Sequence, residues 1–242
     1  MGQSRYIIGI DLGTTNSALA YVDLADAADP PAIRLFKVPQ LLGPGQVETD
    51  QGLPSFLYLP GAHDLPPGST ALPWDTGRDY AVGAFARDQG SLVPARLVSS
   101  AKSWLCHAGV NREEPLLPWG SPTEVPHLSP VEVAARYLKH LREAWDHTRS
   151  EGRVEWTMGQ SDVVLTVPAS FDEVARELTV KAARQAGLGR LTLLEEPQAA
   201  FYSWVRSQGD FWREQLHEGD LVLVCDVGGG TTDFSLIEVT DA

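Results

Sequence analysis

Cysteine is scarce in this chain, whose 242 residues include only Cys106 and Cys225. Two isolated cysteines form neither a disulfide framework nor the paired spacing of a structural zinc site. Such a count is typical of proteins from a reducing compartment, so we expect a cytoplasmic location.

Long hydrophobic runs are absent as well. The first ten residues, MGQSRYIIGI, contain no extended apolar segment of the kind that a signal peptide needs. The longest purely apolar run, at 221–225, is far too short to cross a bilayer. We therefore expect a soluble protein without a membrane partner.

Positive charge is in deficit, with 19 Lys and Arg residues against 32 Asp and Glu residues and a formal net charge of −13. This balance argues against nucleic acid or an acidic membrane surface as a partner. An anionic substrate would need a local site made of backbone N–H groups and metal, because the overall field repels it.

The remaining pattern predicts strands and helices in a definite order. Alternating apolar residues predict strands at 6–10, 17–22 and 33–38, with a further strand candidate at 55–59 inside a Pro- and Gly-rich region. Later apolar runs predict strands at 163–167, 191–194, 221–225 and 234–239.

Helix signals are clearest after Ser129, which is a plausible N-cap followed by Pro130 and a capping-box Glu132. Apolar residues then recur at spacings of three and four, which marks one buried helix face. Two more helices are predicted, one from about Asp172 to Gly187 and one from Pro197 onward.

This order predicts an α/β fold with a mixed five-stranded sheet flanked by helices, in which three antiparallel strands are extended by two crossovers. We expect residues 1–38 and 127–220 to form the core. Residues 39–126 are expected to form an inserted, loop-rich subdomain, and residues 221–242 to open a second lobe.

Two similar turns, IDLGTT at 10–15 and DVGGGTT at 226–232, each run from a strand through an Asp into small residues. Glycine permits positive φ and leaves no Cβ between backbone and ligand, so such turns suit a phosphate. Asp11 and Asp226 would then hold Mg²⁺ through water, since that ion keeps most of its hydration shell. A purely structural turn is the alternative for either copy taken alone.

Four motifs in this order, IDLGTTNS, VPASFDEVAR, EEPQAA and DVGGGTTDFS, resemble the ATPase domain of the 70-kilodalton heat-shock (DnaK-type) chaperones. That resemblance implies the ribonuclease H-like fold of the actin superfamily, in which two lobes clamp ATP or ADP with Mg²⁺. It also implies peptide clients, co-chaperones and a role in the stress response.

The resemblance assigns roles to individual residues. The residues implied in binding the phosphates are Gly13, Thr14, Thr15 and Asn16 in the first loop and Gly228, Gly229, Gly230 and Thr231 in the second. Asp233 would lie near the metal's water molecules, together with Asp11 and Asp226. Glu196 would be the catalytic glutamate that orients the attacking water. The alternative is that its carboxylate only interacts favourably with the dipole at the N-terminus of a helix.

Two further residues match positions that relay the nucleotide state to a peptide-binding domain in the resembled family. These are Pro168 and Arg176. The alternative for Pro168 is a proline that only ends a strand, and the alternative for Arg176 is a solvated side chain without a partner.

One position departs from the family pattern. Arg87 falls where family members carry a phosphate-contacting catalytic lysine, and arginine differs in its planar geometry and in never losing its proton. We predict Arg87 as the phosphate contact, which puts hydrolysis in doubt. Lys102, the next lysine along the chain, is not assigned this role, because its surroundings resemble a helix that follows the catalytic lysine.

Three alternative functions stay open at this point. A bacterial actin-like filament protein shares similar motifs, but residues 11–196 are longer than such a protein needs. A pseudo-ATPase could keep the fold for nucleotide sensing or protein interaction. A sugar kinase is the third, without a recognisable sugar-binding segment to support it.

The sequence also suggests a truncated chain, since the second hairpin stands at its end. We expect residues from about 221 onward to dock on the first lobe, to pair with a second copy, or to be poorly ordered. We further expect little ATPase activity from the chain alone, because half of the clamp would be missing.

Overall fold

The computed structural model describes residues 4–28 and 30–240. In chain order the strands are β1 Tyr6–Leu12, β2 Asn16–Asp23, β3 Arg34–Leu35, β4 Val38–Gly43, β5 Gln46–Asp50, β6 Gly52–Pro54, β7 Leu57–Tyr58, β8 Ala81–Val82, β9 Leu97–Val98, β10 Asp162–Val167, β11 Leu191–Glu195, β12 Leu221–Val227 and β13 Thr232–Glu238. The α-helices are α1 Ala84–Leu92, α2 Ala101–Leu105, α3 Pro130–Arg149, α4 Glu173–Gln185, α5 Glu196–Gln208 and α6 Trp212–Gln215.

The central sheet is mixed, as predicted, and has the order β11-β10-β1-β2-β3, with β6 also paired to β2. β1 runs antiparallel to β2 and parallel to β10, which in turn is parallel to β11. The sheet therefore has six strands, not the predicted five. The extra strand arises because β6 returns from the inserted region and pairs with Asn16, Ser17 and Ala18.

The predicted third strand at 33–38 is much shorter in the structure. Only Arg34 and Leu35 pair with β2, and the chain then leaves the sheet to form the β4–β5 hairpin. Pro39 has no N–H to donate to a sheet interior, which favours this departure. Gly45, with a φ of 70°, supplies the turn of the hairpin.

α3 and α4 pack against each other over one face of the sheet. The capping box of α3 forms as predicted, with Ser129 Oγ accepting from the N–H of Glu132 at 3.2 Å. Trp145 of α3 is fully buried and makes edge-to-face contacts with Tyr6 and Tyr21. This aromatic cluster fixes α3 on β1 and β2.

The inserted region contains a small sheet, β8-β7-β9, and a second apolar core. The predicted strand at 55–59 is limited to Leu57 and Tyr58, which form the middle of that sheet. A buried polar network joins the region to α3. Arg78, whose side chain is 1% exposed, forms ion pairs with Asp75 and Glu143.

His140 of α3 completes this network with both ring nitrogens. Its Nδ1 accepts from Arg78 Nη1 at 3.2 Å, and its Nε2 donates to the Pro39 carbonyl at 2.9 Å. This pattern requires the neutral ring. Burial, together with the charge of Arg78, lowers the pKa of His140 to about 3.

The strand predicted at 221–225 is present as β12, but it is largely exposed, whereas its apolar composition indicates a buried strand. β12 pairs only with β13, so Leu221 and Leu223 stay 65% and 56% exposed. Apolar composition indicated burial wrongly here, because a two-stranded sheet leaves one face of the hairpin uncovered. None of the helices in the described part of the chain has the length and apolar character that crossing a bilayer requires.

We predict that His140 makes the stability of the chain fall with acid. Its folded pKa lies below the unfolded value of about 6.5, so the unfolded state binds more protons as the pH falls from about 6.5 toward 3. The free energy of unfolding should therefore drop by about 1.6 kcal/mol between pH 6.5 and pH 5 through this residue alone. Urea denaturation at the two pH values measures it.

The His140→Gln variant should lose this part of the pH dependence, whereas His63→Gln, a change at an exposed histidine, should keep it. An equal pH dependence in wild type and His140→Gln would contradict the account.

Candidate functional site

The first glycine turn joins β1 to β2 and contains Gly13, Thr14 and Thr15. A Cβ on Gly13 would lie 2.1 Å from the carbonyl oxygen of Asn16, so no side chain fits there. Ser55 anchors the turn from the inserted region, because its N–H donates to the Thr15 carbonyl and its Oγ to the Gly13 carbonyl, both at 2.8 Å.

The second glycine turn joins β12 to β13 and runs from Gly228 to Thr231. The Gly228 N–H donates to the Thr231 carbonyl at 2.9 Å and closes the turn. None of Gly13, Gly228, Gly229 and Gly230 has positive φ. The positive φ that glycine permits is therefore not used at these positions, and the missing Cβ, which the sequence analysis also named, is what matters there.

The two turns touch each other. A Cβ on Gly229 would meet Thr15 Cγ2 at 2.5 Å, and one on Gly230 would meet Thr14 Cγ2 at 2.8 Å. Contacts under 3.0 Å require something to shift, so glycine at both positions permits this approach. β12 also packs beside α5. The hairpin thus docks on the first lobe within a single chain, and pairing with a second copy has no support.

Several amide groups at the tips of both turns lack a backbone acceptor among the described residues. Within residues 4–28 and 30–240, no backbone carbonyl accepts from the N–H groups of Gly13, Thr14 or Thr15. The same holds for Gly229, Gly230 and Thr231. Successive free N–H groups of this kind are well suited to an anion.

Carboxylates stand beside these amide groups. Asp11, at the end of β1, accepts a hydrogen bond from Thr166 Oγ1 of β10 at 3.2 Å. Asp226 and Asp233 are directly paired across the β12–β13 hairpin. Like charges in such a pair repel each other, which a nearby cation would relieve.

In the part of the chain that the structure describes, no three His, Cys, Asp or Glu side chains are grouped closely enough to hold a metal ion.

Glu196 is the first residue of α5, which follows β11 without a loop. Its carboxylate forms an ion pair with Lys102 of α2, 94 positions away along the chain. Both side chains are mostly buried, at 15% and 10% exposure. Burial raises the pKa of Glu196, and Asp11 and Asp226 raise it as well, whereas Lys102 lowers it.

All these groups face one groove of about 670 Å³. Of the predicted site residues, ten line it: Asp11, Gly13, Thr14, Thr15, Asn16, Glu196, Asp226, Gly228, Gly229 and Thr231. Gly230 lies against Thr14 at the contact between the turns. Asp233 and Pro168 line an adjoining pocket of about 240 Å³, which shares Glu196 and Asp226 with the groove.

Arg176 does not line the groove, but it forms a hydrogen bond with Glu195, the neighbour of the groove residue Glu196. Its Nη2 donates to Glu195 Oε1 at 2.7 Å, next to Glu196 in the chain. Pro168 is buried directly after β10. Arg176 is thus paired with a carboxylate, which differs from the alternative of a merely solvated side chain.

The structure does not bring Arg87 into the groove. Its side chain is 50% exposed on α1, and its Nε donates to the neighbouring Asp88 at 2.8 Å. Lys102, which the sequence analysis left without a role, lines the groove instead. No local motif indicated this, because the contact between α2 and α5 depends on the tertiary fold.

The family model described as Hsp70 protein matches residues 106–242, more than half of the chain. The chain belongs to the Hsp70 family. The matched part includes Glu196, Asp226 and the second turn, while the first turn precedes it. Membership implies the actin-like ATPase fold, with which the mixed α/β architecture agrees.

Curated relatives match nearly the whole chain. A protein named chaperone protein HscA homolog, from Pseudomonas putida, is 34% identical over 252 residues, covering 98% of this chain and 33% of the relative. Proteins named chaperone protein HscA, from Salmonella agona and Enterobacter sp., are 33% and 32% identical with the same coverage. The chain thus spans about a third of the length of these relatives.

We predict that a side chain at Gly229 separates the two turns of this Hsp70 chain. In Gly229→Ala the new methyl group would collide with Thr15, so the hairpin should detach from the first turn. Amide hydrogen exchange of residues 221–239 should become faster. Mass spectrometry of the exchanged peptides measures the change.

Gly189→Ala provides the matched control, since a Cβ there meets nothing within 4 Å and the backbone φ is not positive. Exchange in the hairpin that is the same in wild type and Gly229→Ala would show that the turns do not depend on this contact.

Proposed function

We propose that this chain binds ATP or ADP with Mg²⁺ between its two glycine turns, as the nucleotide-binding part of an Hsp70-type chaperone. The observation that carries the proposal is the convergence of free amide groups from both turns on one groove. Its volume of about 670 Å³ is in the range of small-molecule sites.

The residues present fit a magnesium–triphosphate ligand. The N–H groups of Thr14, Thr15 and Gly229 would donate to phosphate oxygens, and the threonine hydroxyls would add further donors. Asp11, Asp226 and Asp233 would hold the ion through water molecules. When bound, Mg²⁺ supplies charge neutralisation at the phosphates that are being cleaved.

Glu196 would orient the attacking water for hydrolysis. It directly follows the carboxyl end of β11, two strands away from Asp11 at the end of β1, and the aligned ends of the parallel strands bring both carboxylates to the same edge of the sheet. Its burial limits the rotamers it can adopt and excludes bulk water. A fixed carboxylate of this kind accepts a proton from water during attack on the terminal phosphorus.

In the wider proposal, Pro168 and Arg176 pass the state of the groove to a peptide-binding partner domain. Support comes from their positions, Pro168 beside Glu196 in the adjoining pocket and Arg176 on Glu195. The proposed partners are unfolded peptides and co-chaperones, and the proposed location is the cytoplasm. The HscA names of the relatives, which include the word chaperone, favour this function over an actin-like filament.

A nucleotide sensor without turnover is the second candidate. The observation behind it is the absence of Arg87 from the groove, since the residue at the family's lysine position does not reach the site. Binding and hydrolysis must therefore be measured separately.

We predict that Asp226→Asn weakens Mg²⁺-dependent ATP binding, while Glu196→Gln retains binding and loses turnover. The first change removes a carboxylate that would hold the metal's waters, and the second removes the proton acceptor, which costs about 10²–10⁴ in rate. Calorimetry with and without Mg²⁺ measures binding to this chain. Single-turnover hydrolysis measures the rate in the full-length protein.

Asp210→Asn, a change at a fully exposed carboxylate outside the groove, is the control for both measurements. Wild type without Mg²⁺-dependent ATP binding would refute the proposal. Full-length wild type that binds ATP and turns over no faster than Glu196→Gln would favour the sensor.

A further inference from the structure

Lys102 lines the groove, although the family resemblance gives it no role there. α2 places Ala101 and Leu105 in the core, at 1% and 0% exposure, and Lys102 on the groove side. Among the groove-lining residues that the structure describes, Lys102 is the only one with a cationic side chain. The same lining holds the carboxylates of Asp11, Glu196 and Asp226.

The ammonium group of Lys102 lies in a mostly buried position, where an unpaired charge would cost solvation free energy. Its side chain is 10% exposed and its partner Glu196 is 15% exposed, so both charges depend on each other. Lysine carries three N–H donors, and one of them is used by Glu196. The others remain for an oxygen of a ligand in the groove.

Backbone conformation fixes α2 in this orientation. Ser100, directly before α2, has φ 55° and ψ 30° in the left-handed region. A serine rarely adopts it, and such strain persists only where the surrounding structure enforces it. Lys102 thus projects from a constrained segment, not from a free loop.

We propose that Lys102 is the phosphate-facing cation of the groove and the positioning partner of Glu196. In the free chain it holds the Glu196 carboxylate in place, and with ATP bound it also contacts the terminal phosphate. This inference rests on the proposed function, in which Glu196 orients water at that phosphate. It reassigns to α2 the role that sequence comparison gave to Arg87 on α1.

A contact of Lys102 with the terminal phosphate would make the affinity for ATP depend on this lysine more than the affinity for ADP does. A cation bonded to Glu196 lies beside the phosphate that is attacked, which ADP does not have. Loss of the ammonium removes a charge-assisted hydrogen bond to ATP and leaves the carboxylates of Asp11, Glu196 and Asp226 unopposed. ATP affinity should therefore fall more than ADP affinity.

The test measures Mg²⁺-ATP and Mg²⁺-ADP affinities of this chain by calorimetry. Lys102→Met should weaken ATP binding about tenfold or more and ADP binding much less. Lys102→Arg should recover part of the ATP affinity, since it restores a donor with positive charge. Arg87→Met should leave the ATP-to-ADP ratio unchanged, and so should the control Lys37→Met at an exposed site.

A second measurement does not need nucleotide. The carboxyl ¹³C resonance of Glu196, assigned by comparison with Glu196→Gln, gives the pKa of that group. In Lys102→Met this pKa should rise, because burial, Asp11 and Asp226 all raise it once the lysine is gone. Lys102→Arg should restore the wild-type value. If the substitutions only perturbed packing, the pKa of Glu196 would not rise in Lys102→Met and return to the wild-type value in Lys102→Arg.

Several outcomes overturn the inference. An equal loss of ATP and ADP affinity in Lys102→Met, or no loss, removes the phosphate contact. An ATP-selective loss in Arg87→Met returns that role to Arg87. An unchanged Glu196 pKa in Lys102→Met removes the positioning role. Wild type that binds neither nucleotide defeats the proposed function and the phosphate contact together, while the Glu196 pKa still reports the ion pair.

Discussion

The close approach of the two glycine turns is the constraint on which the site depends. Thr14 and Thr15 of the first turn lie where side chains on Gly230 and Gly229 would otherwise project. Because no Cβ intervenes, the backbones of the two turns approach closely beside the groove, and in the described part of the chain their tip N–H groups have no backbone acceptor. The contact also joins the β12–β13 hairpin to a lobe with which it shares no sheet.

The central sheet, α3 and the inserted region hold the residues around this contact in place. Parallel pairing of β1, β10 and β11 aligns their carboxyl ends, so Asp11, Thr166 and Glu196 stand at one edge of the sheet. Aromatic packing of Trp145 holds α3 against that sheet. The inserted region contributes to the site from the other side, with Ser55 bonded to the first turn and Lys102 bonded to Glu196. In this strongly acidic chain, the groove thus brings the two glycine turns and the ammonium group of Lys102 together beside its carboxylates.

Local patterns were enough to predict some of this arrangement. The capping box of α3 and the mixed sheet depend on neighbouring residues or on regular alternation, and both are present. The apolar run of β12 was misleading, because burial depends on what packs over a strand, which its own residues do not specify. The position of Lys102 in the groove was not predicted for a similar reason, since its partner Glu196 lies 94 positions away along the chain. At the glycines of both turns, the positive φ that the sequence allows is not used, and the packing between the turns, which needs the missing Cβ, could not be predicted from either turn alone.

The most direct measurement of the account is backbone amide NMR of this chain during titration with Mg²⁺-ATP. We expect the largest shifts at the amides of Thr14, Thr15, Gly229 and Gly230 together, at one common affinity, because both turns would donate to one ligand. Shifts confined to one turn, or centred away from both, would contradict the claim that the two turns form a single phosphate site.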